Sequence, residues 1–186
     1  MRQTRTIVQS NPQQIAVMDV FSRLVQDRII FIDDEINDEL ASEVIAQLLY
    51  LDAIDKGKPI SMYINSPGGS VLAGFGIYDV ARKINSPIKT ICVGMAASMA
   101  AILMLCGEDR AITKHGRIML HQPQSGVIGT CDEIEITCEE VVKLRSEIFD
   151  LIEERTSLVN ARDLFRLDKW YNASEALEVG LVTEIL

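Results

Sequence analysis

The sequence predicts an α/β fold, and three observations carry that prediction. Short β-branched runs alternate with helix-period segments from residue 28 onward. Glycine- and proline-bearing loops separate the two kinds of segment. No internal repeat or low-complexity linker interrupts the alternation, so right-handed crossovers between neighbouring strands are expected. At 186 residues the chain is expected to form one domain, with at most a small appendage. Apolar residues make up 48% and charged residues 24%, which excludes a disordered chain. The net charge of −9, with no Lys/Arg-rich run, argues against nucleic-acid binding. An aromatic content of 5% argues against base-stacking platforms. Mean hydropathy is +0.16, and an apolar surplus in an acidic chain must be hidden somewhere.

Each element follows in order. Residues 1–20 are polar and are expected to be irregular and mobile. Arg28-Ile-Ile-Phe-Ile32 reads as a strand closed by Asp33-Asp34. Leu40, Val44, Leu48 and Leu51 share one helical face, and Gly57 with Pro59 stops that helix. Ile60–Ile64 is the next strand and leads into the loop Asn65-Ser-Pro-Gly-Gly-Ser70. A helix over 71–84, a strand over 88–93 and an alanine- and methionine-rich helix over 96–106 are expected next. Gly94 divides the run Ile91–Cys106 into strand-like and helix-like halves. Short strands are predicted around Ala111–Thr113 and Arg117–Leu120, followed by a glycine-bearing segment, Gln124–Gly129.

Thr130 and Glu133 form the signature of a capping box. Behind it Ile134, Cys138, Val141, Leu144, Ile148 and Leu151 step by three and four. Roughly 25 residues at 1.5 Å each span about 37 Å, more than a domain of this size needs internally. That length suggests an arm reaching for another subunit. A short helix, Ser174–Val179, ends at Gly180 and leads into Leu181–Ile185.

Cys92, Cys106, Cys131 and Cys138 form neither a C-x-x-C pair nor a disulfide framework. The N-terminus lacks the apolar core of a signal peptide. The run Ile91–Cys106 falls short of the roughly 20 residues a membrane span needs. The expectation is a soluble, reduced, cytoplasmic protein with no membrane partner.

Ser98, in Gly94-Met-Ala-Ala-Ser-Met-Ala-Ala101, follows a strand near the start of a helix. There it meets the positive end of the helix dipole and backbone N–H groups able to receive an oxyanion. Read alone, such a serine is more often a cap or a small buried residue. The G-x-S-x-G elbow is missing, because the glycine stands four residues upstream. A nucleophilic serine needs a base, and the chain has two histidines. His115 reads as a turn residue, whereas His121 closes a strand where active-site loops gather. No S-x-x-K motif offers a lysine base. Gly68 and Gly69 permit positive φ and close backbone approach. Neither G-x-G-x-x-G nor G-x-x-x-x-G-K-[ST] occurs, and no metal-ligand spacing is present.

Five segments occur together in order: SRLVQDRIIFI, INSPGGSVLAGFGIYD, TICVGMAASMAA, IMLHQP and ASEALEVGLV. With them the chain resembles ClpP, the proteolytic subunits of ATP-dependent Clp proteases, from about Met18 to the C-terminus. The resemblance implies a crotonase/ClpP-like spiral of ββα units with a protruding handle helix at about 131–156. Residues 1–17 would be axial loops and 18–186 one protease domain. It also implies a serine endopeptidase in which Ser98 is nucleophile, His121 general base and Asp168 the orienting carboxylate. Gly69 and Met99 would supply the oxyanion-binding N–H groups, and Tyr63 would help dock an unfoldase.

The implied partners are unfolded polypeptides and an AAA+ unfoldase of the ClpX, ClpA or ClpC type. The implied assembly is two stacked heptamers, of this chain alone or with a second ClpP isoform. No cofactor is expected in this chain, because the partner uses the ATP. A crotonase-like acyl-CoA enzyme is the competing chemistry, and a weakly active or structural ring subunit the competing role.

Departures from the family pattern accompany the resemblance. The chain shortens near Gly107-Glu-Asp-Arg110 and again before Asp168. Leu167 stands where the family places an arginine, with Arg166 next to it. Lys83 occupies an expected apolar docking position, and Gln9-Ser-Asn-Pro-Gln13 replaces the usual N-terminal form. These changes point to a divergent isoform.

Overall fold

The structure is a computed structural model and describes residues 6–11 and 14–186. Its centre is a seven-stranded sheet built from β3 (Ile29–Ile32), β4 (Ile60–Ser66), β5 (Ile88–Ala97), β6 (Asp109–Ile112), β7 (Arg117–Leu120), β8 (Lys169–Tyr171) and β9 (Glu184–Ile185). Strands run in the order β3-β4-β5-β6-β9, all parallel, while β7 joins β5 in parallel and β8 in antiparallel fashion. Parallel strands need crossovers, and α2 (Asp38–Ile54) and α3 (Val71–Lys83) provide them. The expected α/β class therefore stands as a mixed, mainly parallel sheet. On α2 the stripe Ala41, Val44, Leu48 and Leu51 is buried, as the sequence period requires. On β4 the alternation places Ile60, Met62, Ile64 and Ser66 inside.

Several boundaries differ from the sequence reading. Gly94 does not end the strand: it adopts φ +87° and β5 continues to Ala97. The two halves pair differently, Lys89–Cys92 with β6 and Met95–Ala97 with β7. A left-handed glycine lets one strand bend between two partners. The helix expected from residue 96 is thus α4 (Met99–Met104), and its whole length is buried. Within residues 1–20, read as irregular, β1 (Thr6–Asn11) pairs antiparallel with β2 (Gln14–Asp19). The mobility expected of residues 1–5 and 12–13 lies outside the described residues. After the hairpin, Asp19 caps α1 (Val20–Gln26) by accepting from the Phe21 and Ser22 N–H groups.

Gln124–Gly129 is not a strand here, because among the described residues no strand pairs with it. Behind it runs α5 (Cys131–Arg155), 25 residues long, with the expected capping box between Thr130 and Glu133. Only Ile148, Phe149 and Ile152 of α5 are buried, so its first two-thirds project from the core. Short α6 (Ala161–Leu164) and α7 (Ala173–Glu178) complete the chain. Among the described residues no helix is long and apolar enough to cross a membrane.

Candidate active site

Three strand ends build the site. β5 and β7 lie side by side with Ala97 opposite Met119, and the Ser98 N–H donates to the Met119 carbonyl at 2.9 Å. Ser98 therefore leaves β5 beside the end of β7, where His121 begins the next loop. β8 returns antiparallel with Lys169 opposite Leu120. One step further along that ladder, Asp168 faces His121. Residues far apart in sequence thus meet at the C-terminal ends of parallel strands, where α/β sheets open crevices.

Ser98 Oγ lies 2.8 Å from His121 Nε2, and His121 Nδ1 lies 3.5 Å from Asp168 Oδ1. With Nδ1 turned to the carboxylate, Nε2 is left to accept the serine hydroxyl proton. The His121 side chain is 17% exposed and that of Asp168 60%, so the outer contact is the looser and wetter one. Ser98 adopts φ 55°, ψ −126° at the N-cap of α4, and its side chain caps nothing. A non-glycine residue held in that region costs about 1–3 kcal/mol and persists only where its surroundings impose it. The strain turns Oγ out of the helix start toward His121.

The loop after β4 approaches from the other side. Gly68 has φ +95°, and a Cβ there would fall 2.6 Å from the Ala97 carbonyl and 2.7 Å from Ser98 Cβ. Glycine is required because the loop backbone touches the turn that carries Ser98. Ile36 donates to the Gly68 carbonyl and accepts from the Ser70 N–H, so the Gly69 N–H between them points away from Ile36. The Met99 N–H opens α4, directly after Ser98. Asn65 Oδ1 accepts from Met95 N–H and holds the loop against the second half of β5.

Tyr63 is not at this centre. It stacks on Phe31 across the β3–β4 ladder, ring centroids 5.4 Å apart, and Phe21 meets Phe31 edge-on. A groove of about 830 Å³ lies near those aromatics, lined by Phe21, Val25, Phe31 and Leu40, and it includes none of Ser98, His121 or Asp168. His115 stays on an exposed turn. Among the described residues no cluster of His, Cys, Asp and Glu could hold a metal ion. Sequence reasoning missed Gly68 as the residue in contact with Ser98, and Ile36 as the support of Gly69. The adjacent glycines were the available signal for the first, while no local pattern marks Ile36.

A strained serine at a strand-to-helix turn, bonded to a histidine that a carboxylate approaches, is the constellation of serine hydrolases. Comparison with known proteins narrows the class. The Clp protease family model matches residues 12–186. An ATP-dependent Clp protease proteolytic subunit of Bacteroides thetaiotaomicron is 46% identical over 184 residues, covering 97% of this chain and 84% of that protein. The corresponding Porphyromonas gingivalis protein is 44% identical over 185 residues, with 97% and 83% covered. Proteolytic subunit 1 of Salinibacter ruber is 38% identical over 188 residues, with 97% and 79% covered. The chain belongs to the Clp protease family.

Proposed function

We propose that this chain is the serine endopeptidase subunit of an ATP-dependent Clp protease and cleaves unfolded polypeptides. The observation that carries the reading is the 2.8 Å contact between Ser98 Oγ and His121 Nε2. His121 takes the Ser98 proton as Oγ attacks a peptide carbonyl, and the carbonyl π electrons move onto its oxygen. The Gly69 and Met99 N–H groups bind that oxyanion, and Asp168 holds the imidazolium that forms. The imidazolium then protonates the departing amine, leaving an acyl group on Ser98. Water, activated by His121, attacks the ester and restores the serine. No step of this chemistry calls for a cofactor in the chain.

In the same proposal, subunits stack as two rings of seven, and α5 is the handle that meets the opposite ring. Gln124–Gly129 would gain there the strand partner it lacks among the described residues. A homo-oligomer and a mixed assembly with a second isoform are both compatible with the exposed apolar residues Ile134, Ile136 and Val142 of α5. An AAA+ unfoldase would meet residues 1–17 and the surface around Tyr63. The test of the active centre is intact-mass detection of a fluorophosphonate adduct. One adduct on the wild type and none on Ser98→Ala is expected. An unlabelled wild type in its assembled state overturns the assignment of Ser98.

A further inference from the structure

The far end of α4 is as constrained as the end that carries Ser98. Met99 through Gly107 are all buried, so every carbonyl at the close of this helix needs a partner inside the protein. Side chains supply them. Thr90 Oγ1 donates to the Met104 carbonyl at 2.8 Å, and Arg155 Nε to that of Leu105 at 3.2 Å. Arg82 reaches the Cys106 carbonyl at 3.5 Å. The Gly107 carbonyl accepts from both Arg110 and Arg155, each at 3.2 Å. Cations at a helix C-terminus also complement its dipole.

The three arginines are not equivalent. Arg110 is committed elsewhere, donating to the Leu181, Gly180 and Arg155 carbonyls. Arg82 is half exposed and is drawn to Glu108, a carboxylate open to solvent. Arg155 is 15% exposed, bonds the Leu105 and Gly107 carbonyls just past α4, and contacts Glu108 at 3.1 Å. It is also the last residue of α5, so its backbone is anchored by the buried Ile148, Phe149 and Ile152.

We propose that Arg155 is a positioning residue for Ser98, clamping the C-terminal end of α4 so that its N-terminal end holds the hydroxyl against His121. This inference rests on Ser98 being the nucleophile. α4 is six residues, about 9 Å of stiff rod. With the clamp removed, the buried Leu105 carbonyl has no donor and that of Gly107 keeps only Arg110. The rod then resettles, and its motion appears at the other end as a displaced Ser98 Oγ and Met99 N–H. Displacements near 1 Å at a reacting group reach about 100-fold in rate. Because Arg155 ends α5, the same contact ties the seating of that long helix to the nucleophile.

The experiment compares wild type, Arg155→Met, Arg155→Lys and Glu108→Gln as full-length proteins, with assembly checked by native mass. The readouts are the second-order rate of fluorophosphonate labelling at Ser98, and kcat and KM on a short fluorogenic peptide. Arg155→Met is expected to slow labelling and lower kcat at least about tenfold, with KM within about twofold. Arg155→Lys keeps the charge but not the fork, and is expected to recover only part of the rate. Glu108→Gln removes the exposed carboxylate, leaves both carbonyl bonds of Arg155, and should stay within about twofold of wild type. A folded, assembled Arg155→Met labelled at the wild-type rate overturns the proposal, since a fold staple alone would leave the labelling rate unchanged. If Arg155→Met does not fold, wild-type labelling of Arg155→Lys overturns it equally. If the wild type itself fails to label, the assignment of Ser98 has failed instead.

Discussion

At residue scale the site is held by backbone geometry that side-chain chemistry alone does not create. Ser98 keeps a left-handed φ because β7 fixes its N–H and the Gly68 backbone occupies the space beside it. Gly68→Ala would place Cβ 2.9 Å from the Met99 nitrogen, at a φ that disfavours any side chain. Peptide hydrolysis by Gly68→Ala is expected to fall about 100-fold, with the loss in kcat. Wild-type turnover in that variant would show that the loop does not shape the turn. The buried thiols behave differently. Burial pushes Cys92 up to about 11 and Cys106 up to about 12, so neither forms a thiolate near neutral pH. In a time-resolved alkylation experiment Cys92 and Cys106 should be modified only on unfolding, as read by peptide mass mapping.

At the scale of elements, α5 and the α2–β4 connection show how ends are stabilised. The first turns of α5 lack tertiary cover, so its start depends on the Thr130–Glu133 capping box. Thr130→Ala is expected to cost about 1 kcal/mol locally, seen as faster amide exchange over the first turns of α5 with the core unchanged. The end of α2 is fixed by Arg28, at φ 64°, whose guanidinium donates to the Leu51, Lys58 and Pro59 carbonyls. Beside it the buried Asp52 accepts from Asn85 and Ser86. Burial works to raise the Asp52 carboxyl, but those hydrogen bonds outweigh it and hold the group below its ordinary value. A carboxyl depressed on folding stabilises the native state above its unfolded pKa of about 3.9, and the benefit is lost as pH falls through the folded value. The urea midpoint should therefore drop on acidification below about pH 4. Asp52→Asn should lower the midpoint at neutral pH and flatten its acid dependence.

At the scale of the whole molecule, the apolar surplus is divided between a core and an unpartnered surface. Leu48, Ile77, Ile102 and Phe165 are fully enclosed or nearly so. Leu49, Tyr50 and Ile54 of α2 and Ile136 of α5 stay more than half exposed. A ring neighbour would cover such residues in the proposed assembly. Native mass measurement is expected to give two stacked rings, and a monomer at working concentration would remove that part of the proposal. The −9 charge of each chain is repeated in every copy.

The sequence by itself determined the alternation of strands and helices, the capping box of α5, and the pairing of a post-strand serine with a strand-end histidine. These are local signals, written in periodicity, turn residues and end-capping groups. The strands β1 and β2 were not legible, because their residues carry no clear period of two. The extension of β5 through Gly94 was equally hidden, since only its second partner, β7, decides that a left-handed glycine bends the strand and does not end it. Asp168 gave no local signal, and it meets His121 because β8 folds back on β7. The three arginines behind α4 lie on α3, β6 and α5. Arg110 is close in sequence to that helix end, but only tertiary packing brings Arg82 and Arg155 there, because the buried carbonyls need more donors than the nearby chain supplies.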